Sequence, residues 1–219
     1  MIMHSTVAMT LEDVREDLGN VPAARIRTTP PPGQATAQDW EAARAGGEMV
    51  ELVDGTLVEK AMSFEASIVG LTIGRIIGNW LASHRIAVAS GADGFYRMVR
   101  GNRRGPDVGV LCRDRWPDGR PPRGAAAEVS PDLAVDVPSP DNTRGEMRNK
   151  RIEYCDGGTR LVWIVDVVHR SVAVYTSVER FTLLGEDDTI DGGDVLPGFE
   201  AKVAAFFEDL DAEVATDAE

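Results

Sequence analysis

Two short apolar stretches, each interrupted by a carboxylate, constrain this chain more than any other feature. Residues 105–111 read GPDVGVL, and residues 131–137 read PDLAVDV. Short apolar runs bounded by proline or glycine are typical of buried strands. A charged side chain on such a strand is costly unless it is paired or binds a cation. The sequence therefore predicts a sheet in which Asp107 and Asp136 are present for a chemical reason.

Strand geometry predicts where these two carboxylates point. Side chains alternate between the faces of a strand, so Asp136 shares a face with the small Ala134, opposite Leu133 and Val135. Asp107 follows a proline at the start of its own strand. If the two strands are neighbours, both carboxylates can converge on one cation.

A lysine completes the candidate site. Lys150, one of only three lysines in the chain, lies on a helix predicted over residues 143–154. Two carboxylates suit Mg²⁺, which prefers oxygen ligands and keeps several waters, and an ammonium group stabilises negative charge on a reacting phosphate. Taken singly, each residue has a structural explanation, because Pro-Asp pairs often begin strands and helix lysines often lie in solvent. The combination indicates a metal-dependent phosphodiesterase.

The net charge of −13 argues against a nucleic-acid partner, but the charge is unevenly distributed. Residues 186–219 contain twelve acidic residues and one basic residue, whereas residues 97–151 contain twelve basic and eight acidic residues. The candidate site therefore lies in a locally basic segment. Four arginines precede Asp107, and they could contact phosphates or form a solvated face: Arg97, Arg100, Arg103 and Arg104.

The remaining patterns predict one mixed α/β domain over residues 36–210, with a flexible N-terminal arm at 1–35 and an acidic C-terminal tail at 211–219. Within the domain we expect a hairpin around Asp54-Gly55, a long helix over residues 63–83 and a final helix over residues 201–210. The chain has no basic N-terminal region followed by an apolar run, and Cys112 and Cys155 are expected to be reduced. These features predict a cytoplasmic protein without a membrane span.

In this order, the motifs resemble those of the PD-(D/E)XK nuclease superfamily, and more closely the Uma-two (Uma2) family of small bacterial proteins described as restriction endonucleases. The resemblance runs from about Trp40 to Phe207, and its elements are ELVDGTLVE at residues 51–59, GPDV at 105–108, PDLAVDVPSP at 131–140, KRIEY at 150–154, LVWIVD at 161–166 and LPGF at 196–199. It implies a restriction-endonuclease-like fold, a mixed β-sheet flanked by helices.

The resemblance also implies a site and a substrate. Asp107 and Asp136 would bind Mg²⁺ or Mn²⁺, with the main-chain carbonyl of Val137 as a further ligand and Glu51 binding or orienting a metal water. Lys150 would stabilise charge or act as a base, reaching the site from a helix because Pro138 occupies the usual lysine position. DNA would be the substrate, and a homodimer the common assembly.

Two other functions stay open at this point. One is a catalytically inactive binding or regulatory module on the same fold, which the acidic net charge favours. Asp136 also favours it, because the family usually has the longer glutamate there. The other is a hydrolase that acts on a different phosphate ester.

Overall fold

Three β-sheets and four α-helices make up the part of the chain that the computed structural model describes, residues 10–211. The helices are α1 (Leu11–Asp17), α2 (Ala37–Ala45), α3 (Phe64–His84) and α4 (Arg144–Asp156). The strands are β1 (Val50–Val53), β2 (Thr56–Glu59), β3 (Ala87–Ser90), β4 (Phe95–Arg97), β5 (Arg103–Arg104), β6 (Val108–Cys112), β7 (Ala126–Ala127), β8 (Leu133–Asp136), β9 (Leu161–Asp166), β10 (Ser171–Tyr175), β11 (Phe181–Leu184), β12 (Thr189–Gly192) and β13 (Leu196–Lys202).

The central sheet has six strands in the order β11-β10-β9-β8-β6-β3. Strands β8 and β9 run parallel and the other neighbours antiparallel, so the sheet is mixed. A second sheet has the order β2-β1-β5-β4-β7, and β12 pairs with β13 alone. The α/β class with mixed sheets flanked by helices, predicted from the sequence, is confirmed.

Both faces of the central sheet are covered. On one face, α3 packs its apolar residues against alternate residues of β6, β8 and β9, together with Phe199 and Phe206 from the C-terminal part of the chain. On the other face, Ala134 and Val162 pack with Tyr154 of α4 and with Tyr96 of the second sheet. This double cover explains why β8 and β9 are nearly continuous apolar runs.

Local signals in the sequence correctly predicted several elements. Asp54 and Gly55 both have positive φ, as a tight β1–β2 hairpin requires. Ser63 caps α3 by accepting a hydrogen bond from the backbone N–H of Ala66. None of the helices within residues 10–211 is long and apolar enough to cross a membrane.

The described part of the predicted arm, residues 10–35, differs from the expectation of a loosely ordered segment. Helix α1 and the residues after it bury Val14, Leu18 and Ile26 against Val53 and Val58 of the hairpin. This packing could not be predicted from the sequence, because the segment has little apolar periodicity of its own and its partner strands come later in the chain. Residues 1–9 of the arm and 212–219 of the acidic tail lie outside the described residues.

The helix predicted over residues 201–210 is wrong. Strand β13 continues to Lys202 and pairs with β12, with Ile190 opposite Ala201, and a single 3₁₀ turn follows over Val203–Phe206. Burial of Val203 and Phe206 in the main core outweighs the local helix preference of this alanine-rich stretch.

A buried ion pair joins the N-terminal segment to α4 beside the candidate site. The guanidinium of Arg25 donates two hydrogen bonds to the Glu146 carboxylate, at 2.7 and 2.9 Å. It also donates to the carbonyl oxygens of Glu59 and Asp141. Both charged side chains are buried, so each depends on the other for its stabilisation.

We expect Glu146→Gln to lower the free energy of unfolding by about 3 kcal/mol, because it leaves the Arg25 charge buried without a counter-ion. Urea unfolding followed by circular dichroism measures this change. The control is Glu12→Gln, which removes an exposed pair with Arg15 and should change the free energy of unfolding by less than about 0.5 kcal/mol. Equal effects of the two variants would contradict a structural role for the buried pair.

The same pair predicts a pH dependence. Burial raises the pKa of Glu146, but the hydrogen bonds and charge of Arg25 outweigh burial and hold it below the usual 4.5. As the pH falls, Glu146 is therefore protonated in the unfolded chain before it is protonated in the folded protein. The stability that this pair contributes is present above pH 4.5 and is lost as the pH falls through the lower pKa of Glu146 in the folded state. The stability difference between wild type and Glu146→Gln should shrink over that range, and a difference that stays constant would contradict this assignment.

Candidate metal-dependent active site

Two neighbouring strands bring Asp107 and Asp136 together, as the sequence predicted. Strands β6 and β8 pair antiparallel, with Val108 opposite Val135. The Asp107 carboxylate accepts a 2.8 Å hydrogen bond through Oδ2 from the backbone N–H of Val137, the residue after Asp136. This bond fixes the Asp107 side chain against the end of β8.

Asp136 is buried and only partly satisfied. Its Oδ1 accepts a 3.0 Å hydrogen bond from Lys150 Nζ, whereas its Oδ2 is buried and has no hydrogen-bond partner. Burial raises the pKa of Asp136; Lys150 opposes this, and the negative charges of Asp107 and Glu51 reinforce it. The site therefore holds a carboxylate whose charge the surrounding residues do not fully compensate.

Lys150 reaches this carboxylate from α4, and not from a strand. Thr143 and Glu146 form a capping box that fixes the first turn of α4, and Lys150 follows one turn later on the buried side. Its Nζ lies 3.0 Å from Asp136 Oδ1 and 3.2 Å from Glu51 Oε1. Burial alone would lower the pKa of Lys150, but Asp136 and Glu51 raise it well above its usual value, so the ammonium group keeps its charge.

Glu51, from the hairpin strand β1, faces Lys150. Its Oε2 accepts a 2.8 Å hydrogen bond from Arg104, and its Oε1 accepts one from the backbone N–H of Gly105. Burial raises the pKa of Glu51, but the charges of Lys150, Arg104 and Lys60 outweigh burial and lower it to about 2. Both oxygens are thus engaged by donors, which suits Glu51 to holding Lys150 in place.

Sequence reasoning gave no role to a second lysine at the site. Lys60 follows β2 directly, and its side chain is only 4% exposed. Its Nζ donates to the Ala92 carbonyl oxygen at 3.0 Å and lies 3.4 Å from Asp107 Oδ1. The scarcity of lysine in this chain was the one signal that could have identified it.

The four arginines before Asp107 do not act as one group. Arg97 and Arg100 are exposed, whereas Arg103 and Arg104 are buried. Arg104 is held between the carboxylates of Glu51 and Glu153, with a contact of 2.5 Å to the latter. Of the two alternatives left open by the sequence, phosphate contact or a solvated face, neither describes Arg104, which is buried and balances Glu51 and Glu153 behind the site.

One small cavity, with room for about one water, joins the predicted site residues. Its lining includes Glu51, Asp107, Asp136, Val137 and Lys150, together with Lys60. All the residues that the sequence singled out are thus at one place, three of them on different secondary-structure elements. The full lining carries four carboxylates, the three already named and that of Glu146, and three cations, those of Lys60, Lys150 and Arg25. Arg104 adds a further positive charge behind Glu51.

The donor set fits a hard divalent cation. Among residues 10–211, no group of three or more histidine, cysteine, aspartate or glutamate side chains is arranged to hold a metal ion. Mg²⁺ needs fewer, since it is often bound by one or two carboxylates with waters and substrate phosphates. Asp136 Oδ2 has no partner, and Asp107 Oδ1 has only a long contact to Lys60, so each carboxylate offers one oxygen.

Comparison with known proteins shows the family and the fold of the chain. The model of the Uma2 family, described as "Putative restriction endonuclease", matches residues 35–204. Among solved structures, the chain is similar to a "putative nuclease belonging to DUF820" from Anabaena variabilis ATCC 29413, with a TM-score of 0.63 and 17% sequence identity. The likeness covers 73% of this chain and 89% of that one, and at this identity it shows the fold. No curated protein matches the chain.

We expect Asp136→Asn to raise the melting temperature by several degrees in EDTA at neutral pH. The pKa of Asp136 is raised above 3.8 in the folded state, so ionisation at neutral pH lowers stability, and the amide removes that charge. A change of about 1 kcal/mol shifts the melting temperature of a chain this size by about 2–4 °C. Differential scanning fluorimetry measures the shift.

Asp132→Asn is the matched control, because Asp132 lies on the same face four residues earlier and is equally buried. Its carboxylate is fully engaged by Arg115, Arg160 and the backbone N–H of Cys112, so this variant should lower the melting temperature. Destabilisation of both variants to the same extent would show that Asp136 is an ordinary structural ion-pair partner.

Proposed function

Because the chain belongs to the Uma2 family, we propose that it is a divalent-metal-dependent endonuclease that hydrolyses phosphodiester bonds in DNA. The observation that carries the proposal is the convergence of Asp107, Asp136 and Lys150 on one cavity. A buried carboxylate oxygen without a partner is costly, and such groups cluster where a ligand completes the site.

Each residue of the cavity has a role in this proposal. Asp107 and Asp136 hold Mg²⁺ or Mn²⁺, with the carbonyl of Val137 as a further ligand. When bound, the metal polarises a phosphoryl oxygen and lowers the pKa of a bound water. Glu51 orients Lys150 and contributes to the metal site through a water. The positions of the two carboxylates on adjacent strands support this division of labour.

Lys150 stabilises negative charge on the phosphate in preference to acting as a base. In the site without metal, Asp136 and Glu51 hold the pKa of Lys150 above its usual value, so the ammonium group carries its charge there. A fixed ammonium group in a buried site stabilises charge that develops during reaction more strongly than it would in water.

A second candidate is a catalytically inactive module on the same fold. The position of Lys60 favours it, because an ammonium group 3.4 Å from Asp107 Oδ1 competes with a cation for that carboxylate. The two candidates differ in metal binding. If the chain is a nuclease, calorimetric titration with Mn²⁺ should show binding of one metal ion per chain. If it is a module that does not bind metal, the titration should show no heat of binding.

We expect Asp107→Asn to reduce Mg²⁺- or Mn²⁺-dependent DNA cleavage by at least about 100-fold, because it removes one of two charged metal ligands. Cleavage of a labelled DNA by the purified full-length chain measures the effect, with EDTA abolishing activity in wild type. The fold of the variant is checked by circular dichroism.

Asp166→Asn is the control for cleavage, prepared in parallel. Asp166 ends the adjacent strand β9, and its carboxylate is half exposed and bonded to His169. This variant should cleave DNA like wild type. Cleavage that survives Asp107→Asn unchanged, or that persists in EDTA, would contradict the proposed metal-dependent function.

A further inference from the structure

A groove of about 530 Å³ opens directly from the proposed active site. It runs along one side of α3 and faces β3 and the turn that follows β3. Lys60, Ala61 and Asp107 line both this groove and the small cavity of the site. A molecule that lies in this groove, which we call the α3 groove, therefore reaches the two strand carboxylates from outside.

The wall of the α3 groove is made of small residues over most of its length. Gly70 and Gly74 of α3 face it, with Ala66 and Ser67 one turn earlier and Ala89 and Ala92 on the opposite side. The volume and the mostly apolar lining are those of a site for small organic groups, such as the sugars and bases of nucleotides.

Three large apolar side chains are exposed beside the groove: Met62 and Leu71 belong to its lining, and Phe64 lies just outside the lining. Met62 is 66% exposed, Phe64 82% and Leu71 75%. Phe64 and Leu71 lie seven residues apart on α3, so they project from the same side of the helix. Aromatic and apolar side chains beside a groove are the surfaces on which unpaired bases stack.

Positive charge is scarce in the groove. The cations in its lining are Lys60, at the inner end, and Arg75, which pairs with Asp209 at 2.8 Å. Duplex binding depends on many contacts between basic side chains and phosphates. The net charge of the chain is −13, and the lining of the groove offers few basic side chains for such phosphate contacts. A duplex also keeps its bases inside the stack, out of reach of the apolar walls.

We propose that the α3 groove binds an unpaired strand of DNA. The bases of this strand lie against the apolar wall and against Phe64, and its sugar-phosphate backbone passes Lys60 toward Asp107. This inference rests on the proposed nuclease function and narrows its substrate to single-stranded or unpaired DNA. Lys60 is then the phosphate contact at the entrance to the site, because it is the buried cation that both cavities share.

The test measures binding without turnover. Fluorescence anisotropy in EDTA compares a labelled single strand of about 12 nucleotides with the duplex of the same sequence, using the full-length chain. We expect the single strand to bind at least about tenfold more tightly. The slope of log affinity against log salt should be about −1.4, as two cations predict for a single strand.

Two variants, each with a matched control, locate the binding surface. Phe64→Ala should weaken single-strand binding about tenfold through loss of stacking, whereas Phe181→Ala, an exposed phenylalanine on the far edge strand β11, should not. Gly74→Leu should fill the groove and weaken binding to a similar extent. Gly78→Leu, one turn later on α3 and outside the groove lining, should have no effect.

The glycine variants are expected to fold. A Cβ at Gly74 would lie 3.6 Å from Val108, an ordinary contact, and a Cβ at Gly78 would meet nothing within 4 Å. Leucine also has the higher helix propensity. Thermal melting confirms that each variant is intact before binding is compared.

Three outcomes would overturn the inference. The first is duplex binding that equals or exceeds single-strand binding. The second is unchanged binding by both Gly74→Leu and Phe64→Ala. The third is a homodimer, detected by sedimentation, that these variants disrupt while the oligonucleotide fails to bind. The binding assay contains EDTA and does not depend on metal. A failure of the chain to cleave DNA would therefore contradict the proposed function without contradicting single-strand binding. Cleavage of duplex DNA without single-strand binding would defeat this inference alone.

Discussion

The buried contact of Lys150 with Asp136 and Glu51 is the interaction on which the rest of the site depends. It joins α4, the strand β8 and the hairpin strand β1, which come from three distant parts of the chain. Arg104 extends the network from Glu51 to Glu153 on α4, so the hairpin and the helix are linked twice. Loss of Lys150 would leave Glu51 and Asp136 as buried charges without this counter-ion, and an unpaired charge in the interior costs several kcal/mol.

The same network leaves one carboxylate incompletely satisfied. Asp136 Oδ2 lies buried without a partner, while Asp132, four residues earlier, has donors for both of its oxygens. Two aspartates at opposite ends of β8 thus differ in how completely the protein satisfies them. Asp132 is fully paired by its neighbours, and Asp136 is the carboxylate that the proposed metal would complete.

Several parts of the fold and site could be predicted from the sequence because their signals are local. The Asp54-Gly55 turn, the Ser63 cap and the apolar periodicity of α3 each depend on residues within a few positions of one another. The terminal strand pair was missed because β13 needs β12 as its partner, and a stretch rich in alanine looks helical without it. Lys60 and Arg104 acquired roles only when the hairpin, the second sheet and α4 were brought together.

The sequence by itself was enough to predict the family, which is confirmed. Two strand-borne carboxylates, a rare lysine on a capped helix and the order of the motifs also predict a set of site residues, whose chemical roles stay a prediction. Tertiary structure decided how those groups behave, since charge, exposure and access depend on neighbours far away in the chain. It placed Lys150 where two carboxylates keep it charged, engaged Arg104 behind the site and opened the α3 groove beside Asp107. These properties arise from desolvation and long-range contacts, which no local pattern of residues encodes.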